Sequence, residues 1–130
     1  AVLKPPNVYF FDNADVIGDE GARFENLVAT HLLKHIQFRE DSQGFRYELS
    51  YVRDKEGREV DFVILKDGLV DELVEAKFSE TKISLPLSYY AERLKPRKAR
   101  QIVAQLKRPY NKGLLAVEGA VAALSGLNGA

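Results

Sequence analysis

Cysteine is absent from the 130 residues. That excludes disulfides and thiolate zinc sites, and it fits a reducing compartment such as the cytoplasm. Methionine is absent as well, even at position 1, so the chain is expected to be a processed product or a piece of something longer. No apolar run approaches the ~20 residues that span a bilayer, and none has signal-peptide layout. The P-loop pattern G-x-x-x-x-G-K-[ST] is missing too, so no ATP site is expected within this chain. What is present suits one folded domain: 45% hydrophobic and 29% charged residues support a core and argue against disorder. The domain is expected over residues 8–126. Residues 1–7, with Pro5 and Pro6, read as a lead-in, and residues 127–130 as a frayed tail.

Net charge is zero, but it is unevenly spread. Residues 1–80 hold 10 basic and 17 acidic side chains, a net of −7, while residues 81–130 hold 9 and 2, a net of +7. Such a chain can set metal-binding carboxylates beside a phosphate-attracting surface, or carry two solvated faces that attract each other.

Hydrophobic spacing gives the elements. Residues 8–11 form a short apolar run, a strand or docking segment. Asp19 is available as an N-cap for a helix over residues 22–36, where Phe24, Leu27, Val28, Leu32 and Ile36 form one stripe. Glu25 lies about 100° round from Phe24, on the stripe's shoulder. Residues 37–44 read as a polar loop. Phe45, Tyr47, Leu49 and Tyr51 alternate with polar residues, a half-buried strand. Residues 60–65 form a buried strand interrupted by Asp61, Asp67 and Gly68 a hairpin turn, and residues 69–78 a third strand. Ser84 caps a helix over residues 85–94, with Pro86 in its first turn. Residues 95–98 are a basic break, and 101–106 a fourth strand. A loop at 109–113, a strand at 114–117 and a short helix at 120–124 complete the chain. The order is helix, three strands, helix, strand, with the second helix as the crossover that a parallel fourth strand needs.

The chemistry is expected where charge interrupts apolar strands. Glu75 and Lys77 share one face of the third strand, and Asp61 sits among Val60, Phe62, Val63 and Ile64. Buried charges are costly unless paired or bound to a metal. Two carboxylates on adjacent strands repel each other unless a cation lies between them, and oxygen-only ligands favour Mg²⁺ or Mn²⁺. A structural salt bridge from Lys77 to Asp61 or Glu75 is the competing reading. Glu80, Thr81 and Lys82 repeat the E-x-K spacing in a polar stretch. Arg97, Lys98 and Arg100, with Lys95, are candidate phosphate contacts in a nucleic-acid-binding loop. Tyr89 could stack on bases. His31 and His35 are four apart on the first helix but lack a third ligand of the usual kind.

Three stretches, GARFENLVA (21–29), GREVDFVI (57–64) and VEAKFS (74–79), resemble the PD-(D/E)xK nuclease superfamily. With the lead-in VYFFD (8–12), they resemble more narrowly the uncharacterised domain that follows AAA-type ATPase modules in bacteria and archaea. The resemblance is good over about residues 8–80 and loose beyond. It implies an α/β fold with a restriction-endonuclease-like αβββαβ core, a mixed sheet flanked by helices. It also implies Mg²⁺-dependent (or Mn²⁺-dependent) hydrolysis of DNA, with an ATPase module upstream. Asp61 and Glu75 would be metal ligands, Lys77 the catalytic lysine, and Glu25 the helix glutamate reaching the same metal. Glu59 and Ser79 match family positions beside the site. Val60 stands where the superfamily name has proline. The alternative is a catalytically silent module that docks DNA or protein and regulates the attached ATPase.

Overall fold

A computed structural model describes residues 2–4 and 19–128 of the chain. The sequence reading of residues 8–11 and the prolines at 5 and 6 lie outside these. Among the described residues, the elements are β1 (Val2–Lys4), α1 (Glu20–Gln43), β2 (Tyr47–Arg53), β3 (Glu59–Lys66) and β4 (Leu69–Lys77). They continue with α2 (Leu85–Leu94), β5 (Lys98–Val103), β6 (Tyr110–Lys112), β7 (Leu115–Gly119) and α3 (Ala120–Asn128). They form an α/β fold with one mixed sheet in the order β1-β2-β3-β4-β5-β7-β6. β2 to β4 run as an antiparallel meander with β1 added antiparallel to β2, and β5 pairs in parallel with both β4 and β7.

The helices divide the core into two layers. On one face α1 lays Phe24, Val28, Leu32 and Ile36 against Phe62, Ile64, Val74 and Ile102, joined by Ala123 and Leu124 of α3. On the other, Leu87, Tyr90 and Ala91 of α2 cover Val63, Leu65, Leu73 and Ala99. Asp67 and Gly68 both have positive φ, 50° and 82°. That is the geometry of a two-residue turn matching the twist of the flanking strands. Ser84 caps α2 by accepting the Leu87 N–H.

Several elements differ from expectation. α1 continues through residues 37–43, held by polar contacts to β2. Glu40 accepts the Tyr47 N–H and Gln43 accepts the Tyr47 hydroxyl. Arg39 lies 4.6 Å from the centroid of the Tyr47 ring. Gly44 ends the helix in the left-handed region, its N–H donating to the Glu40 carbonyl. Leu27 is exposed rather than part of the stripe. β5 begins three residues earlier than predicted, at Lys98. Residues 110–112, expected as loop, are strand. Val2–Lys4 is an edge strand rather than lead-in, and α3 extends the final helix to Asn128, into the expected tail.

Candidate active site

The site begins with an irregularity in β3. Ser50 is opposite Val63 while Val52 is opposite Val60, so β3 carries one extra residue between these pairs. A bulge of this kind bends the strand and re-aims a side chain. The β3–β4 ladder is regular from Phe62 opposite Val74 up to Ile64 opposite Glu72. Beyond Phe62, carboxylates replace the backbone pairing. Asp61 Oδ2 accepts the Ala76 N–H at 2.9 Å, and Glu75 Oε1 accepts the Asp61 N–H at 3.3 Å. The two strands thus part where their acidic side chains meet.

Glu75 is only 4% exposed. Burial raises its carboxyl well above the usual range, and the Asp61 charge and an Asp61 side-chain hydrogen bond push the same way. Lys77 and the Ser84 hydroxyl, which donates to Glu75 Oε2 at 3.1 Å, pull it back. Lys77 is half-buried and lies 3.9 Å from Glu80. Glu25, in the first turns of α1, is exposed. Its carboxyl is nonetheless raised to about 7, first by desolvation and then by the charges of Asp61 and Glu59, with Lys77 opposing. The structure therefore gathers Asp61, Glu75 and Lys77 at one end of the sheet, with Glu25 and Glu59 close enough to feel their charges.

Among the described residues, no three His, Cys, Asp or Glu side chains lie close enough together to hold one metal ion. The tight unit is the Asp61–Glu75 pair. It fits Mg²⁺, which keeps several of its waters and is commonly held by one or two carboxylates. A cation there would offset both the burial and the Asp61 charge that raise the Glu75 carboxyl.

Residues 20–116 match the family described as "Domain of unknown function (DUF4143)". The chain belongs to this family. No curated protein and no solved structure matches it.

The other candidate residues of this DUF4143 chain lie elsewhere. Arg97, Lys98 and Arg100 do not form a loop beside the carboxylates. Arg97 Nε and Nη2 donate to the two Asp71 carboxylate oxygens, both at 3.1 Å, and Nη2 also reaches Glu72 at 3.1 Å. Arg100 is buried within β5 between Glu72 and Glu118, at 3.6 and 3.8 Å. Lys98 is exposed at the start of β5, opposite Glu72. Glu72 and Lys77 are five residues apart on β4, about 16 Å, so this cluster occupies the other end of the sheet. The Tyr89 ring is covered by the guanidinium groups of Arg58 at 3.8 Å and Arg93 at 3.5 Å, which leaves no free face for a base. His31 Nδ1 is 3.0 Å from the Leu27 carbonyl oxygen.

One residue escaped the sequence reading. Gln101 is fully buried in β5. Its Oε1 accepts the Ser84 N–H at 2.9 Å, and its Nε2 donates to the carbonyls of Glu80 and Lys82 at 3.3 and 2.9 Å. It fixes the loop that delivers Ser84 to Glu75. A lone Gln in an apolar strand is the signal that could have found it, since buried amides need partners.

Proposed function

We propose that this chain is a PD-(D/E)xK-type nuclease domain, positioned after an AAA-type ATPase module in the cytoplasm, that hydrolyses phosphodiester bonds in DNA with Mg²⁺ or Mn²⁺. The observation that carries the reading is the buried Asp61–Glu75 pair at the parting of β3 and β4, with Lys77 beside it. Asp61 and Glu75 would hold the ion, with Glu25 as an outer acidic group. When bound, the metal supplies charge neutralisation at the scissile phosphate and a more acidic water. The Lys77 ammonium orients that water and stabilises charge developing on the phosphate. The Ser84 hydroxyl fixes the Glu75 carboxylate, and the bulge aims Asp61 at it. The test is digestion of single- and double-stranded DNA with millimolar Mg²⁺ or Mn²⁺. Cleavage by the wild type that is lost in Lys77→Ala and Glu75→Gln supports the reading. Absence of metal-dependent cleavage, or cleavage undiminished in both variants, refutes it.

A specific observation favours a second reading. Both Glu75 oxygens already have protein hydrogen-bond partners, and among the described residues no third acidic side chain converges with the pair. A silent module that docks DNA or protein and regulates the ATPase would keep this scaffold without using it. Metal binding separates the two readings, because the silent module requires none.

A further inference from the structure

The basic residues singled out in the sequence, Arg97 and Arg100, are spent on carboxylates at the far end of the sheet. A different set lies at the end that holds Asp61 and Glu75. After β5 the chain continues alongside the residues that follow β4. The Ala104 N–H donates to the Lys77 carbonyl at 3.0 Å and the Gln105 N–H to the Phe78 carbonyl at 2.8 Å. Five residues on, the Tyr110 hydroxyl donates to the Thr81 carbonyl. Residues 107 and 108 are bracketed between these tethers, so Lys107 and Arg108 run alongside residues 78–81. Gln101 holds the neighbouring Lys82 by its carbonyl.

Lys82, Lys107 and Arg108 are exposed, and none makes an ion pair among the described residues. The nearest acid on the same loop, Glu80, is engaged by Lys77. Three unneutralised cations on two mutually tethered loops, next to a buried carboxylate pair, form a pre-ordered rim. Its charge suits a polyanion whose charges recur along a backbone, because each phosphate it neutralises releases a condensed counterion.

We infer that Lys82, Lys107 and Arg108 form the surface on which a DNA phosphate backbone docks beside Asp61, Glu75 and Lys77. The choice of DNA as the polyanion rests on the nuclease reading. The test uses binding, so the two can fail separately. Fluorescence anisotropy of a labelled 20-mer, single- and double-stranded, is measured against the 130-residue chain in EDTA over a range of salt. The triple variant Lys82→Ala/Lys107→Ala/Arg108→Ala should lose at least about tenfold in affinity at about 100 mM salt. Its slope of log K against log salt should shrink by about 2 to 3. Lys98→Ala, exposed at the other end of the sheet, should bind like the wild type. An unchanged melting curve shows that the triple variant is folded. The inference is overturned if the wild type does not bind DNA, if the triple variant binds as well as the wild type, or if Lys98→Ala loses as much. DNA binding through the rim without cleavage would refute the nuclease reading and leave this surface standing.

Discussion

Replacing Glu75 with Gln should stabilise the metal-free domain, by an amount that grows with pH. Glu75 is buried against Asp61, and its carboxyl is held well above its ordinary value of 4.5. A carboxyl raised on folding favours the folded state fully below its unfolded value. The advantage is then lost as pH rises toward the folded value, because the unfolded chain gives up the proton first. Each retained proton costs about 1.4 kcal/mol of stability per pH unit across that window. At pH 7.5, about three units above the unfolded value, the upper bound is about 4 kcal/mol. Local relaxation around the buried carboxyl brings the expectation to about 2–4 kcal/mol. Gln carries no titrating proton, and its amide can still bond both Asp61 and Ser84. In EDTA, urea unfolding at pH 5, 6, 7 and 8 should show Glu75→Gln gaining on the wild type by about 1 kcal/mol per pH unit. By pH 7.5 the melting temperature should differ by roughly 10 °C. A difference in stability that stays constant from pH 5 to 8 would refute the reasoning, for Glu75 would then be ionised or equally accommodated throughout.

Saturating Mg²⁺ or Mn²⁺ should raise the wild-type melting temperature by several degrees, corresponding to about 2.7 kcal/mol at a hundredfold excess over Kd. Asp61→Asn should respond far less, and an unchanged wild-type curve at millimolar metal counts against a metal site. Glu72→Ala should cost about 3 kcal/mol in urea, because it leaves the buried Arg100 guanidinium with the half-exposed Glu118 alone. Glu72→Met with Arg100→Leu should recover most of that loss, and failure to recover would mean the pair is not simply exchangeable for packing. Gln101→Leu should cost about 2–4 kcal/mol by orphaning the Ser84 N–H and two carbonyls. Hydrogen exchange at Ser84 should speed up, and unchanged exchange there would remove Gln101 from the role of clamp.

The elements that local chemistry specifies were legible in the sequence. Ser84 with Pro86 marks the start of α2, Asp67-Gly68 marks the β3–β4 hairpin, and Asp19 caps α1. Strand alternation put Glu75 and Lys77 on one face, whereas the bulge that aims Asp61 at them was not legible. What was illegible depends on partners distant in sequence. Residues 37–43 look like a polar loop until Tyr47 and Asp71 are seen to hold Arg39, Glu40 and Gln43. Arg100 argues against a buried strand unless Glu72 and Glu118 are known to flank it. That is why the sequence reading began β5 too late and placed Arg100 in a nucleic-acid-binding loop. Lys107 and Arg108 drew no notice because backbone groups, which have no sequence signature, carry them to the site.

Asp61, Glu75 and Lys77 all belong to one hairpin, Glu59–Lys66 and Leu69–Lys77. Their mutual positions depend on contacts between near neighbours in the chain, the kind that form early because little loop entropy opposes them. The Asp61 charge that raises Glu75 comes from the same hairpin, but part of what surrounds Glu75 arrives by another route. Ser84 reaches it from the loop that follows β4, and Gln101, which holds that loop, only once β5 has docked in parallel. The acidity of Glu75 therefore depends on more of the chain than its position does. Substitutions in that loop or β5 can retune the carboxyl without moving it, whereas changes in the hairpin alter both together.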